Sequence, residues 1–357
     1  MRVVVIGATG NIGTSTVGAL AEDARVGSIV GVSRRGPGGA AGDVGGGRVE
    51  WVEADVTDSD LVAVVRGADV VVHLAWLFQP THRPAVTWDA NVIGGSRVLA
   101  AVREAGVPAV VVASSVGAYS PGPKDRGVDE SWPTHGWPGA AYSREKAYVE
   151  RLLDVFEAEL PERRVVRLRP GFVFQRAAAA EQRRLFAGPL LPGRLVRPGV
   201  IRVVPDMRGL RFQALHSADA GRAFAAAAVA AVEGVRGAFN VAAGPVVDAA
   251  LLAGLLDARV VRVPVLGVRA ALAAAWGLHL VAASPGLLDL ALRVPVMDTS
   301  RAREVLGWEP EHTSEAALRE FLEGLRAGAG GGTPPLAAEA GGRLRAGEFR
   351  SGVGVRP

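Results

Sequence analysis

The sequence predicts an α/β fold: a doubly wound parallel sheet followed by a smaller C-terminal substrate lobe. Three observations predict it. Short β-branched runs alternate with helix-length segments through the first half of the 357 residues. Those runs are apolar throughout, as strands covered on both faces must be. A glycine-rich turn, "VVVIGATGNIG", joins the first run to the first helical segment.

In order, "RVVVIG" (2–7), "SIVGVS" (28–33), "VEWVEA" (49–54), "DVVVHLA" (69–75), "AVVVAS" (109–114) and "RVVRLRP" (164–170) read as strands. Helical stretches at 11–22, 58–66, 84–105 and 140–158 lie between them. These elements form a dinucleotide-binding domain over 1–170. After 170 the order loosens into helices near 217–232, 247–256, 266–283 and 301–307 and a short strand, "AFNVAA" (238–243). This second lobe spans 171–326, with some segments returning to the sheet. "GPGGAAGDVGGG" (36–47) reads as a flexible loop. From 327 to 357 apolar periodicity is lost, and a disordered tail is expected.

Composition narrows the function classes. Hydrophobic residues make up 49% of the chain, enough for a large core. There is no cysteine, so disulfides and thiolate metal sites are excluded, and no metal site is expected. Formal charge is +4, and the pI near 10 reflects arginine in place of lysine. No arginine run is long enough for a nucleic-acid groove. Met1-Arg2 runs straight into the first strand, so no signal peptide is expected. "ALAAAWGLHLVAA" (271–283) is too short to span a bilayer and reads as a buried or substrate-covering helix. A soluble cytoplasmic protein with no membrane contact follows from these readings.

Gly7, Gly10 and Gly13 are spaced G-x-x-G-x-x-G between strand and helix. Glycines let backbone approach a pyrophosphate, and a helix N-terminus offers unpaired N–H groups and a favourable dipole. The second strand ends in Ser33, Arg34 and Arg35 where an acidic residue would select NAD. A hydroxyl and guanidinium groups suit a 2′-phosphate, so NADP is favoured over NAD. Asp55, after the third strand, is placed to meet the adenine amino group.

Only two lysines, Lys124 and Lys146, stand against 38 arginines. Lys146 lies four residues after Tyr142, on the same face of a helix. A nearby ammonium favours the phenolate and is expected to lower the tyrosine pKa. The phenol can then exchange a proton with a substrate oxygen while a nicotinamide exchanges a hydride with the carbon. Ser114 and Ser115 end the fifth strand, where open parallel sheets bind ligands, and either could polarise that oxygen.

These pieces together resemble the extended short-chain dehydrogenase/reductases, the NAD-dependent epimerase/dehydratase family, with its Rossmann-type core. "GATGNIG", "ADVTD", "HLA", "NVIGGSRVLAAVREAGV", "SSVGAY", "YSREK", "LRPGFVF" and "DTSRAREVLGWEP" carry the likeness, in order, over roughly residues 1–320. The resemblance implies a catalytic triad of Ser115, Tyr142 and Lys146, with Lys146 also on the nicotinamide ribose. It implies dinucleotide contacts from Gly7, Thr9, Gly10, Asn11, Ile12 and Gly13, from Ser33, Arg34 and Arg35, and from Asp55, Val56, Leu74 and Ala75. It also implies a possible homodimer through the helices at 84–105 and 140–158.

Two departures from the family pattern bear on the reaction. Sugar-nucleotide 4,6-dehydratases carry Thr-Asp-Glu where this chain has Ser115-Val116-Gly117, which removes the carboxyl pair that expels water. Many epimerases carry R-x-x-N, where this chain has Arg169-Pro170-Gly171-Phe172. "RPGFVF" is more similar to the reductase and hydroxysteroid-dehydrogenase side. Trp76, Leu77, Phe78, Trp88, Trp132 and Trp137 fall in pocket segments and would suit an apolar or aromatic substrate. The favoured function is an NADP- or NAD-dependent oxidoreductase acting on a ketone or secondary alcohol. The alternatives are a nucleotide-sugar epimerase with tightly bound NAD and, less favoured, a non-catalytic dinucleotide sensor.

Overall fold

A computed structural model describes residues 1–38, 47–188 and 190–340. Much of the predicted 36–47 loop, and the chain from 341 onward, lie outside the described residues.

Seven strands form one sheet: β1 (Arg2–Ile6), β2 (Ser28–Ser33), β3 (Val49–Glu53), β4 (Val70–His73), β5 (Ala109–Ala113), β6 (Arg164–Pro170) and β7 (Gly237–Val241). Their order is β7-β6-β5-β4-β1-β2-β3 and every pair is parallel. Alternation within each strand serves two cores. Val3 and Val5 pack on one face with α1 (Asn11–Glu22) and Ser217–Val232; Val4 and Ile6 pack on the other with Gly94–Glu104 and Ala141–Glu159. That two-sided burial explains why β1, β4 and β5 read as unbroken valine runs.

The strands and most helices fall where the sequence puts them, within four residues at each end. The predicted 84–105 helix is interrupted. Pro84–Trp88 passes through a widened turn at Asp89–Ile93 into Gly94–Glu104. The 238–243 strand returns to the central sheet as β7, beside β6. The predicted 266–283 helix ends at Gly277 and buries none of its residues. It covers the cleft described below through Leu272 while Leu266 stays 80% exposed. Among the described residues, the helices Ala179–Gln182, Pro285–Ala291 and Ser314–Ala327 were missed.

Residues 328–340, assigned from sequence to the tail, lie against the body with Thr333 and Leu336 buried. Among the described residues, no helix is long and apolar enough to cross a membrane.

Candidate active site

One cleft of about 940 Å³ runs across the carboxyl ends of β1, β2, β4 and β5. That places it at the upper end of the size of ligand sites, roughly 300–1,000 Å³. The residues predicted for the cofactor and the triad, glycine turn to Lys146, all line it.

The glycine turn is shaped by sterics. Gly7 has φ +90°, and a Cβ there would lie 2.6 Å from the Ala75 nitrogen. A Cβ on Gly13 would lie 2.1 Å from the Gly7 carbonyl oxygen. Only glycine lets the turn close this tightly under the cleft floor. No side chain caps the N-terminus of α1, so its first amides are left for a ligand. Asn11 is held in place by its bond to the Val173 carbonyl and by Gln175, which donates to its side chain at 2.8 Å.

At the end of β2, Ser33 donates to the Arg35 carbonyl at 2.6 Å, which tightens the turn. Arg34 and Arg35 are exposed at the cleft edge, and Arg34 lies 3.9 Å from the Asp55 carboxylate. Asp55 is also committed locally, accepting from the Thr57 amide and hydroxyl. The residues present therefore fit a dinucleotide: a backbone cradle no side chain could share, and an uncapped helix end facing the cleft.

The two serines after β5 separate cleanly. Ser114 donates to buried Glu150, which is itself gripped by Arg167 and Arg169. Ser115 accepts from the Gly117 amide at 2.9 Å and faces Tyr142. Gly117 is required by closeness: a Cβ there would meet the Tyr142 ring at 2.7 Å.

Tyr142 stands at the N-terminal end of Ala141–Glu159, stacked on Phe78 at 4.7 Å and edge-on to Trp76 at 5.7 Å. These apolar walls desolvate the phenol and push it up to about 12, against an opposing hydrogen bond with Ser115. The expected acidification by Lys146 is therefore corrected. The Lys146 ammonium donates to the Ala113 carbonyl at 2.7 Å and sits 3.4 Å from the centre of the Trp76 ring. Burial pulls Lys146 itself down to about 7.

Sequence reasoning missed the frame around this group. Buried Glu145 accepts from Thr87 and Asn91, and Asn91 clamps both the amide and the carbonyl of Leu77. Asn91 thereby fixes the 76–78 segment against Tyr142. A polar Asn91 between apolar Ala90 and Val92, in the middle of the helical stretch, was the available signal. Of the aromatics proposed for the pocket, Trp76 and Phe78 line it, with Leu77. Trp88 instead packs on Tyr148 at the surface, Trp132 donates to the Ser120 carbonyl, and Trp137 lies under Arg293. Much of the rest of the chamber comes from residues after 170: Phe172, Leu185, Phe186, Leu287 and Val294 among others.

Sheet order, glycine cradle and cleft define a nucleotide-binding Rossmann protein. The chain belongs to the NAD-dependent epimerase/dehydratase family, whose model matches residues 3–242. The UDP-glucose 4-epimerase of Mycolicibacterium smegmatis is 28% identical over 344 residues, 91% of this chain and 99% of that protein. A 4-hydroxy-2-methyl-3-oxo-4-farnesyl-3,4-dihydroquinoline-1-oxide ketoreductase of Stigmatella aurantiaca is 36% identical over 108 residues, 30% of this chain and 32% of that protein. Among solved structures, a UDP-glucose-4-epimerase from Stenotrophomonas maltophila with bound NAD and formylated UDP-arabinopyranose has a TM-score of 0.69 at 21% identity. It covers 92% of this chain and 98% of that one, a likeness of fold.

Proposed function

We propose that this chain is an NAD(P)-dependent oxidoreductase that reduces a ketone, or oxidises the matching secondary alcohol, with Ser115, Tyr142 and Lys146. The observation that carries the reading is the placement of Tyr142 beside Ser115, one helical turn from Lys146, where the glycine-turn end of the cleft meets an apolar chamber. A bound nicotinamide would supply or accept the hydride. The chain's own residues handle the oxygen: Ser115 orients it, and Tyr142 donates a proton to it during reduction. Lys146, lining the cleft beside Tyr142, would hold the nicotinamide ribose.

The chamber walls of Trp76, Phe78, Phe172, Leu185, Phe186 and Leu287 support a ketone on an apolar or aromatic body. Arg183, at the rim, donates to the Gly188 carbonyl. NADP is the favoured dinucleotide because Ser33, Arg34 and Arg35 stand where a carboxylate would select NAD. Surface apolar groups on the helices at 84–104 and 141–159, Trp88, Tyr148 and Val155, support a homodimer, which sedimentation of the purified chain tests.

A second reading has one specific observation behind it, the match to the Mycolicibacterium smegmatis epimerase over nearly its whole length. An epimerase regenerates its dinucleotide each cycle and keeps it; a reductase must exchange it. Mass spectrometry of the protein as purified, followed by single turnover with NADPH and a panel of apolar ketones, separates the two. Stoichiometric NAD together with interconversion of UDP-hexoses would replace the reductase reading.

A further inference from the structure

Residues 331–336 lie beside the cleft at its glycine-turn end. The Thr333 hydroxyl, buried, donates at 2.7 Å to the carbonyl of Thr9, a residue of the glycine turn itself. Pro334 and Pro335, the next two residues, line the cleft. On its far side the segment abuts the loop that follows Arg34 and Arg35: a Cβ on Gly38 would lie 3.4 Å from the Gly332 carbonyl oxygen and 3.7 Å from Pro334. The segment thus bridges the two parts of the chain that would hold the pyrophosphate and the adenosine ribose.

Its anchoring is built rather than incidental. Gly331 donates to the Leu336 carbonyl, and Leu336 donates back to Thr333, closing a compact turn. Leu336 is buried. The buried guanidinium of Arg184 donates to the carbonyls of Pro335 and Ala337, both at 3.0 Å. The Ala180 amide donates to the Ala329 carbonyl. These bonds of a buried guanidinium help to hold the loop in this position.

We infer that residues 331–336 are a strap forming the outer wall of the dinucleotide site, a part of that site lying outside the family match at 3–242. This rests on the dinucleotide reading above. With the glycine turn below and the strap above, the pyrophosphate–adenosine half of the ligand cannot leave unless Thr333 releases Thr9. Dinucleotide release is then gated by the strap, and the dissociation rate is set by this hydrogen bond and the two prolines more than by the arginines after β2.

The test uses the full chain with NADPH and NADH as probes. Stopped-flow displacement, read by dihydronicotinamide fluorescence, gives dissociation rates for wild type, Thr333→Val and the double variant Pro334→Gly/Pro335→Gly. Hydrogen exchange of amides 331–336 is measured in the wild type with and without saturating dinucleotide. Both variants should release dinucleotide about tenfold faster, the change residing in the off-rate. The wild-type amides should exchange several-fold more slowly when ligand is bound. Wild-type binding with unchanged release in both variants, or with unchanged exchange, overturns the strap and leaves the dinucleotide reading standing. No binding of either dinucleotide by the wild type overturns both.

Discussion

The surroundings of Lys124 and Lys146 explain why a chain of 38 arginines retains two lysines. Both lysines are desolvated and both are drawn down to about 7. Lys124 is tied to the carbonyls of Arg211 and Ala291, and Lys146 to that of Ala113. An ammonium can shed its proton when buried; a guanidinium cannot, so arginine at either position would force a charge into a dry site. At Tyr142 the consequence for chemistry is direct. A phenol near 12 is protonated at neutral pH, which suits donation to a carbonyl. Tyr142→Phe should lower single-turnover hydride transfer by about 10²–10⁴-fold, the range of general acid catalysis, with dinucleotide affinity nearly unchanged. Full activity in that variant would end the triad assignment. Gly117→Ala probes the same geometry, since the added methyl must displace the Tyr142 ring. Turnover should fall by at least tenfold, about 1.4 kcal/mol in the barrier, while the dissociation constant for dinucleotide holds. The same crowding leaves no room for a carboxylate at 117. A dTDP- or GDP-hexose should therefore yield no 4-keto-6-deoxy product, and chromatography of the incubation checks it.

At the scale of elements, the strand–turn–helix at the N-terminus was fully legible, because its glycines answer to a local steric demand visible in the spacing. The same holds for the sheet strands, whose valine runs record burial on both faces. The substrate chamber was not legible. Phe172, Leu185, Phe186 and Leu287 are distant in sequence, and no periodicity says that they converge. Ser314–Ala327 carried a readable signal that was overlooked: Thr313 as an N-cap, then Leu318, Phe321, Leu322 and Leu325 at helical spacing. The strap defeated composition outright, since "AGAGGGTPP" has no apolar period and its order comes from Arg184 and Thr9. The turn after β2 gives the prediction at this scale. Charge-assisted bonds to a 2′-phosphate are worth roughly 1.5–3 kcal/mol each, trimmed by exposure and salt. NADPH should bind about tenfold more tightly than NADH, a gap of about 1.4 kcal/mol. Arg34→Ala with Arg35→Ala should shrink that gap and flatten its salt dependence. Equal affinities at low salt would mean that Arg34 serves Asp55 instead of a phosphate.

For the whole molecule, the buried groups dictate how stability follows pH. Among the described residues, the two lysines titrate differently in the folded and unfolded chain between about pH 7 and 10. Each has a folded pKa of about 7, against an unfolded value of about 10.4. The unfolded chain therefore holds more protons across that window, and stability rises with pH through it. Above about 10 the sign reverses. Tyr119 and Tyr142 are both pushed up to about 12 by burial, so the unfolded chain loses phenolic protons that the folded chain keeps. On the acid side, His73 is held down to about 4 by burial beside Lys146, and stability falls as pH drops from about 6.5 toward that value. The melting temperature should climb by several degrees, ~4 °C or more, from pH 7 to pH 9.5 and turn over above 10. This is more alkaline than the usual optimum, roughly pH 5–8. Lys146→Met removes one of the two titrating groups, so scanning calorimetry on that variant should find about half the wild-type slope over the same window. A wild-type melting temperature that is flat from 7 to 9.5 would show that both ammonium groups keep their hydration in the folded chain, and would take with it the explanation of why lysine survives at positions 124 and 146.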